Sequence, residues 1–225
     1  MIRYALYFAP DGAWWQQGSR WLGRDATNSQ LLPQPTIAGL DSSLQRELSS
    51  DARRYGFHAT LKAPFQLADG RTEVELRLAL QKFCSLQTHI QIPVPQVQWM
   101  GKFLALRPTG DQAALNDFAF ACVSHFDDFR APMSQAELAR RQKMPLSARQ
   151  NELLLEWGYP YTAEEFRFHM TLTDRLDAGP IADSLHAAAI QHFSQSEALV
   201  IDGITLFMEP EAGADFELLA RFPFG

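Results

Sequence analysis

One five-residue phrase occurs twice in this chain, and that repetition constrains the fold more than any other feature. Residues 57–61 read Phe57-His58-Ala59-Thr60-Leu61, and residues 168–172 read Phe168-His169-Met170-Thr171-Leu172. Both runs are rich in β-branched and aromatic residues, which favours strand. Side chains at i and i+2 share a strand face, so His58 and Thr60 project together, about 7 Å apart along the chain. Phe57, Ala59 and Leu61 then point into a core. The second copy repeats this, with His169 and Thr171 outward and Phe168, Met170 and Leu172 inward.

The echo extends past the phrase. After the first copy come a helical stretch, 72–87, and two strand-like runs, 90–100 and 103–108. After the second come a helical stretch, 180–193, and two runs, 198–208 and 216–222. Two units of strand, helix, strand, strand indicate an internal duplication. Two similar lobes can then set their His/Thr strands on either side of one cleft.

The stretch 129–161 has no counterpart in the first half. Its capping-box patterns, Ser134-x-x-Glu137 and Ser147-x-x-Gln150, read as an inserted helical pair that Gly158 terminates. Arg130, Arg140, Arg141, Lys143 and Arg149 read mainly as its solvated surface, with one or two able to overhang the cleft. Upstream, the pattern predicts a first strand over 2–8 and a helix from Asp11 that buries Trp14, Trp15 and Trp21. A loop over 24–37 and a helix over 41–53 follow. Thr72-x-x-Glu75 opens the next helix, and another begins at Asp111.

A chain of 225 residues, 46% hydrophobic and 20% charged, can bury a full core. No run approaches the length of a membrane span, and the N-terminus reads as a strand rather than a signal peptide, so the expected location is the cytoplasm. Cys84 and Cys122 fall in amphipathic helices far apart in sequence and read as buried free thiols. A net charge of −6 argues against wrapping long nucleic acid, though a few local arginines can still hold a small anion.

Two histidines across a cleft, each beside a hydroxyl, suit in-line displacement at phosphorus. One imidazole takes a proton from the attacking oxygen and the other protonates the leaving oxygen, work that a group with a pKa of ~6.5 performs near neutrality. The threonines can donate to the non-bridging oxygens, where charge must be held in the transition state. This chemistry calls for no metal and no cofactor. Zinc usually takes three or four ligands, and neither strand has a second His, Cys, Asp or Glu at i+2 or i+4; the nearest acid, Asp174, is five residues past His169. No Gly-x-Ser-x-Gly elbow is present.

At these residues the chain resembles the two-histidine phosphoesterases, whose signature is a pair of His-x-Thr-Leu motifs on strands of a duplicated fold. That group includes RNA 2′,3′-cyclic phosphodiesterases and the 2′-5′ RNA ligases. Arg54-Tyr55-Gly56-Phe57-His58-Ala59-Thr60-Leu61-Lys62-Ala63-Pro64-Phe65, Trp157-Gly158-Tyr159-Pro160-Tyr161 and Glu165-Phe166-Arg167-Phe168-His169 are similar to the branch found in phosphonate-utilisation operons. The resemblance implies an α+β fold, one bilobal domain over 1–225. Its pseudo-symmetric lobes would be built around strands 57–65 and 166–173, with the insert at about 129–161. It further implies metal-independent phosphodiester chemistry, with His58 and His169 as the acid/base pair and Thr60 and Thr171 as phosphate-binding hydroxyls. The substrate it suggests is a small cyclic phosphate, such as a ribosyl 1,2-cyclic phosphate. Supporting candidates are Lys62 and Arg167, which strand alternation puts on the histidine faces together with Thr173, and Tyr55, which can stack on a base or sugar. Arg54 and Arg24 are further candidates. An enzyme of RNA ends and a non-catalytic phosphate- or nucleotide-binding module stay open as other classes.

Overall fold

Seven strands join one sheet, and their order shows how the duplication is folded. A computed structural model describes residues 1–143, 145–194 and 197–225; Met144, in the expected insert, lies outside the described residues. In chain order the elements begin β1 (Arg3–Phe8), α1 (Gly12–Leu22), β2 (Arg24–Asp25), β3 (Gln30–Leu31), α2 (Ser42–Glu47), α3 (Ser50–Tyr55), β4 (Ala59–Phe65) and α4 (Glu73–Cys84). They continue β5 (Ile90–Ile92), β6 (Gln96–Met100), β7 (Phe103–Arg107), α5 (Ala113–His125), α6 (Gln135–Arg141) and α7 (Ala148–Trp157). The last are β8 (Met170–Thr171), α8 (Pro180–His192), β9 (Leu199–Ile201), β10 (Gly203–Glu209) and β11 (Glu217–Pro223). The fold is α+β, with a seven-stranded sheet in the order β11-β10-β1-β4-β8-β7-β6 and two small pairs, β2-β3 and β5-β9.

The two phrase-bearing strands are neighbours at the centre of this sheet. They do not face each other across a gap, as the two-lobe reading expects; Ala59 pairs directly with Met170, antiparallel, and the cleft opens over their shared polar face. The hairpins have crossed over. β6 and β7, which follow the first copy, lie on the β8 side, whereas β10 and β11, which follow the second, lie on the β4 side, with β1 between β10 and β4. The helices do not cross: α4 packs on β10 and β11, and α8 on β6. The linkers β5 and β9 pair with each other, Gln91 opposite Val200.

Packing explains why the phrase sits where it does. Phe57, Ala59, Leu61, Phe168, Met170 and Leu172 are all 2% exposed or less, the inward set that alternation requires. Gly18 of α1 makes room for the Phe57 ring, since a Cβ there would lie 2.1 Å from it. The Trp21 indole donates to the Leu172 carbonyl at 2.9 Å, tying α1 to the second copy.

Local chemistry moves several boundaries. The helix expected over 41–53 is two helices, because Asp174 reaches in and accepts the amides of Asp51 and Ala52 at 3.1 and 3.2 Å, capping a new start. The run 90–100 divides at Pro93 and Pro95, which have no N–H for a ladder. The loop over 24–37 holds the short β2-β3 pair. The capping boxes at Thr72/Glu75 and Ser147/Gln150 form as their spacing predicts, and Ser134 caps α6.

Candidate active site

α3 ends at Gly56, whose φ of 80° and ψ of 175° belong to a region essentially reserved for glycine. This turn aims the Gly56 carbonyl at the His58 ring, and Nδ1–H donates to it at 2.9 Å. A carbonyl only accepts, so Nδ1 carries the proton and the neutral ring leaves Nε2 bare. The second copy does the same: His169 Nδ1–H donates to the Arg167 carbonyl at 2.7 Å. Each histidine is thus oriented by the carbonyl two residues before it. The Thr60 hydroxyl lies 3.3 Å from His58 Nε2, close enough to donate to it.

The register arranges the four polar groups. Carrying the Ala59–Met170 pairing one residue each way sets His58 opposite Thr171 and Thr60 opposite His169. The histidines then occupy opposite corners of a square, about 7 Å apart at Cβ. Two cavities over this face follow the same division. One of about 250 Å³ is lined by His58, Thr171, Tyr55, Gly56 and Thr173. The other, about 490 Å³, is lined by Thr60, His169, Arg167, Thr162, Glu165 and the tyrosines 159 and 161. Phe103 and Arg175 line both.

The surroundings tune the rings. Tyr7 stacks on His58 with centroids 3.7 Å apart and planes at 24°. Burial pushes His58 down to about 4; the bond to Gly56 opposes this, and the charge of His169 adds to it. Burial also lowers His169, against its bond to the Arg167 carbonyl and with help from Arg107. β7 pairs Ala105 with Thr171, and continuing that register sets Arg107 beside His169. Arg107 Nε is buried with no partner among the described residues.

The supporting candidates separate. Tyr55 lines the smaller cavity, 6.2 Å from the His58 ring and stacked on Phe216 at 5.0 Å. Arg167 lines the larger, though from irregular chain rather than a strand, with Nη1 held by the carbonyls of Glu164 and Phe166 at 2.7 and 2.6 Å. Lys62 is a correction. β1 pairs Tyr7 with Thr60 but Leu6 with Lys62, so a bulge breaks the alternation that would put Lys62 on the histidine face. It is 3% exposed, and its ammonium donates to the Val123 carbonyl and Asp127, both at 2.9 Å. Arg24 is buried and donates to the Phe216 carbonyl at 2.7 Å, Arg54 pairs with Glu209, and Thr173 accepts the Leu104 amide at 3.0 Å. The insert's Arg130, Arg141 and Arg149 pair with Asp127, Glu137 and Glu164 and line neither cavity.

Sequence reasoning missed Arg175, Arg107 and the two tyrosines. Arg175 stands at i+4 from Thr171, a same-face spacing that was readable. Arg107 required the cross-strand register, and the tyrosines required the course of the chain leaving the insert.

The family described as "Protein of unknown function (DUF1045)" matches residues 60–217. Over 232 residues the chain is 45% identical to a protein named ribose 1,5-bisphosphate phosphokinase PhnN from Janthinobacterium sp. (strain Marseille), covering 100% of this chain and 51% of the relative. A protein of the same name from Laribacter hongkongensis (strain HLHK9) is 39% identical over 219 residues, covering 96% of this chain and 50% of the relative. The chain therefore spans about half the length of the curated relatives it matches.

Proposed function

The chain belongs to the DUF1045 family, and from that premise and the geometry of its cleft we propose that it is a metal-independent phosphodiesterase of the two-histidine type. The reaction is hydrolysis of a small cyclic phosphate. The observation that carries the reading is the matched pair of imidazoles. Both are held through Nδ1–H by their own chain, both leave Nε2 bare, and each stands diagonally from the other with a threonine alongside.

In the proposed step, one neutral Nε2 takes a proton from water as the water oxygen bonds to phosphorus. The opposite bond, from phosphorus to one ring oxygen, breaks, and the other imidazolium gives its proton to that oxygen. Thr60, Thr171 and Arg175 hold the non-bridging oxygens. Each acid or base is expected to contribute ~10² to 10⁴ in rate.

The relatives' name describes a phosphokinase. This chain has no Gly-x-x-x-x-Gly-Lys-Ser/Thr loop; its one Gly-Lys pair, Gly101-Lys102, is followed by Phe103. Because the chain spans about half of each relative, we assign the named kinase activity to the remainder. The name still informs the substrate. Opening a ribosyl 1,2-cyclic phosphate that also carries a 5-phosphate at its 2-oxygen bond yields ribose 1,5-bisphosphate, the compound in that name. A place in phosphonate metabolism fits this reading. Among the described residues no helix is long and apolar enough to cross a membrane.

The test is turnover, in chelator, of ribose 1,2-cyclic phosphate with and without a 5-phosphate and of nucleoside 2′,3′-cyclic phosphates. Chelator-resistant hydrolysis that His58→Ala and His169→Ala both abolish is the expected result. Binding without turnover of any of them would leave a non-catalytic phosphate module instead, and a preference for the nucleosides would point to RNA ends.

A further inference from the structure

The phrase is duplicated, but the space over it is not. The cavity beside His169 and Thr60 has about twice the volume of the one beside His58 and Thr171, about 490 against about 250 Å³. The difference traces to the segment that only the second half possesses. The first phrase is reached directly from α3 through Tyr55 and Gly56. The second is reached from the insert: α7 ends at Gly158, and residues 159–167 then run along the larger cavity before His169.

This exit arm carries groups that its own fold leaves unused. Thr162 borders the larger cavity and is 3% exposed, and its buried hydroxyl has no partner among the described residues, a donor and an acceptor that the fold leaves unpaired at the cavity wall. Glu165 has one carboxylate oxygen on the Gln150 amide at 2.9 Å and the other without a partner among the described residues, able to accept from a hydroxyl. Arg167 is pinned at Nη1 by two backbone carbonyls, which presets its guanidinium at low entropic cost. Tyr159 and Tyr161, 5.5 Å apart and edge to face, form an aromatic corner beside them. Arg175 lines both cavities and is the cation that the proposed step already uses at the reacting phosphate, so Arg167 is a second cation for which that phosphate has no need.

We infer that the insert is the specificity element of the cleft: through Thr162, Glu165 and Arg167 its exit arm recognises a hydroxyl-bearing sugar that carries a second phosphate remote from the cyclic one. The inference rests on the phosphodiesterase reading above. A sugar ring with hydroxyls suits the carboxylate and the threonine, and a terminal phosphate suits the preset guanidinium.

The test uses the full chain and measures kcat/KM on ribose 1,2-cyclic phosphate with and without a 5-phosphate, and on a nucleoside 2′,3′-cyclic phosphate. The proteins are wild type, Arg167→Ala, Arg167→Lys and Thr162→Val, with melting temperatures compared alongside. Wild type should prefer the doubly phosphorylated sugar. Arg167→Ala should lower that preference roughly 10- to 100-fold, the loss of a charged hydrogen-bond partner, and Arg167→Lys should restore part of it. Thr162→Val should cost both sugars about 3- to 10-fold. Equal loss on both sugars in Arg167→Ala, or best turnover of the nucleoside, overturns the inference. A binding measurement separates it from the reading beneath it, with ribose 5-phosphate titrated into wild type and Arg167→Ala. If no cyclic phosphate is hydrolysed but ribose 5-phosphate binds and Arg167→Ala weakens it roughly 10-fold or more, the phosphodiesterase reading fails and the subsite stands. Absence of ribose 5-phosphate binding removes the subsite whatever the turnover.

Discussion

The two copies of the phrase reach one geometry by different means. Both imidazoles give Nδ1–H to the carbonyl two residues back, but the first carbonyl belongs to a glycine at φ 80° and the second to Arg167, which is outside the left-handed region. His58 lies beneath Tyr7 at 3.7 Å, whereas the aromatic neighbour of His169 is Phe103 at 5.8 Å. The first ring is fixed by its carbonyl and by close packing under Tyr7, and the second by its carbonyl with open space beside it. Proton transfer needs a bare Nε2 in each copy and is indifferent to how it is held. One copy was therefore free to become a packed wall while the other kept room for a substrate.

The largest test of that equivalence is removal of each ring. His58→Ala and His169→Ala should each lower kcat by ~10² to 10⁴, and the double variant by less than the product, because acid and base act in one step. Steady-state rates on the preferred cyclic phosphate decide this. A loss confined to one variant would leave a single proton-transfer group and break the comparison.

Next in size is the difference in support. Gly56→Ala forces a side chain into a glycine-only conformation, a cost of about 1–3 kcal/mol. Its Cβ would also meet that of Ala26 at 2.8 Å. The melting temperature should fall, and kcat with it, as the carbonyl that orients His58 moves. Arg167→Ala keeps its backbone carbonyl and should cost about 0.5–1 kcal/mol, the loss of the carbonyl bonds of an exposed guanidinium. Parallel thermal melts would show the contrast, and equal losses would show that the two anchors are alike after all.

What the sequence could reveal follows the same division between local and non-local causes. Alternation within the phrase placed His58, Thr60, His169 and Thr171 on one face because that pattern depends only on neighbours along the strand. Capping boxes at Thr72 and Ser147 were legible for the same reason. Lys62 was misplaced because the bulge that turns it inward is a property of pairing with β1, not of β4 alone. The crossing of the hairpins, the break made by Asp174 and the approach of Arg107 to His169 all arise between segments far apart in sequence, and periodicity carries no record of them.

Lys62 and Thr173 stand at matching places, two residues past Thr60 and Thr171, and both turn into the structure. Lys62 is 3% exposed on Asp127 and Thr173 is 1% exposed on the Leu104 amide. Lys62→Met should therefore cost about 1–3 kcal/mol of stability, with KM moving less than about twofold. Asp127 keeps Arg130 as a partner, which limits the loss. A large rise in KM without destabilisation would return Lys62 to the phosphate.

The remaining expected effect concerns protons. His58 is brought from 6.5 to about 4 by burial, and His169 is lowered as well, so both rings are neutral at pH 7 in the empty cleft. The reaction needs one of them charged, and a bound phosphate favours the charged form. The pH optimum of kcat, which reports the complex, should then lie above that of kcat/KM, which reports the free enzyme, by about one unit. Stability carries the same signature. Between pH 4 and 6.5 the unfolded chain holds a proton at His58 that the folded chain does not, so this contribution is complete above 6.5 and is lost as the pH falls towards 4. Thermal melts across that window should show a slope that inorganic phosphate reduces by raising the folded pKa. His58→Asn should flatten the slope more than His169→Asn, since His58 is the ring that lies under Tyr7. If the two variants flatten it equally, the packed side and the open side hold their protons alike, and the asymmetry lies only in the space above them.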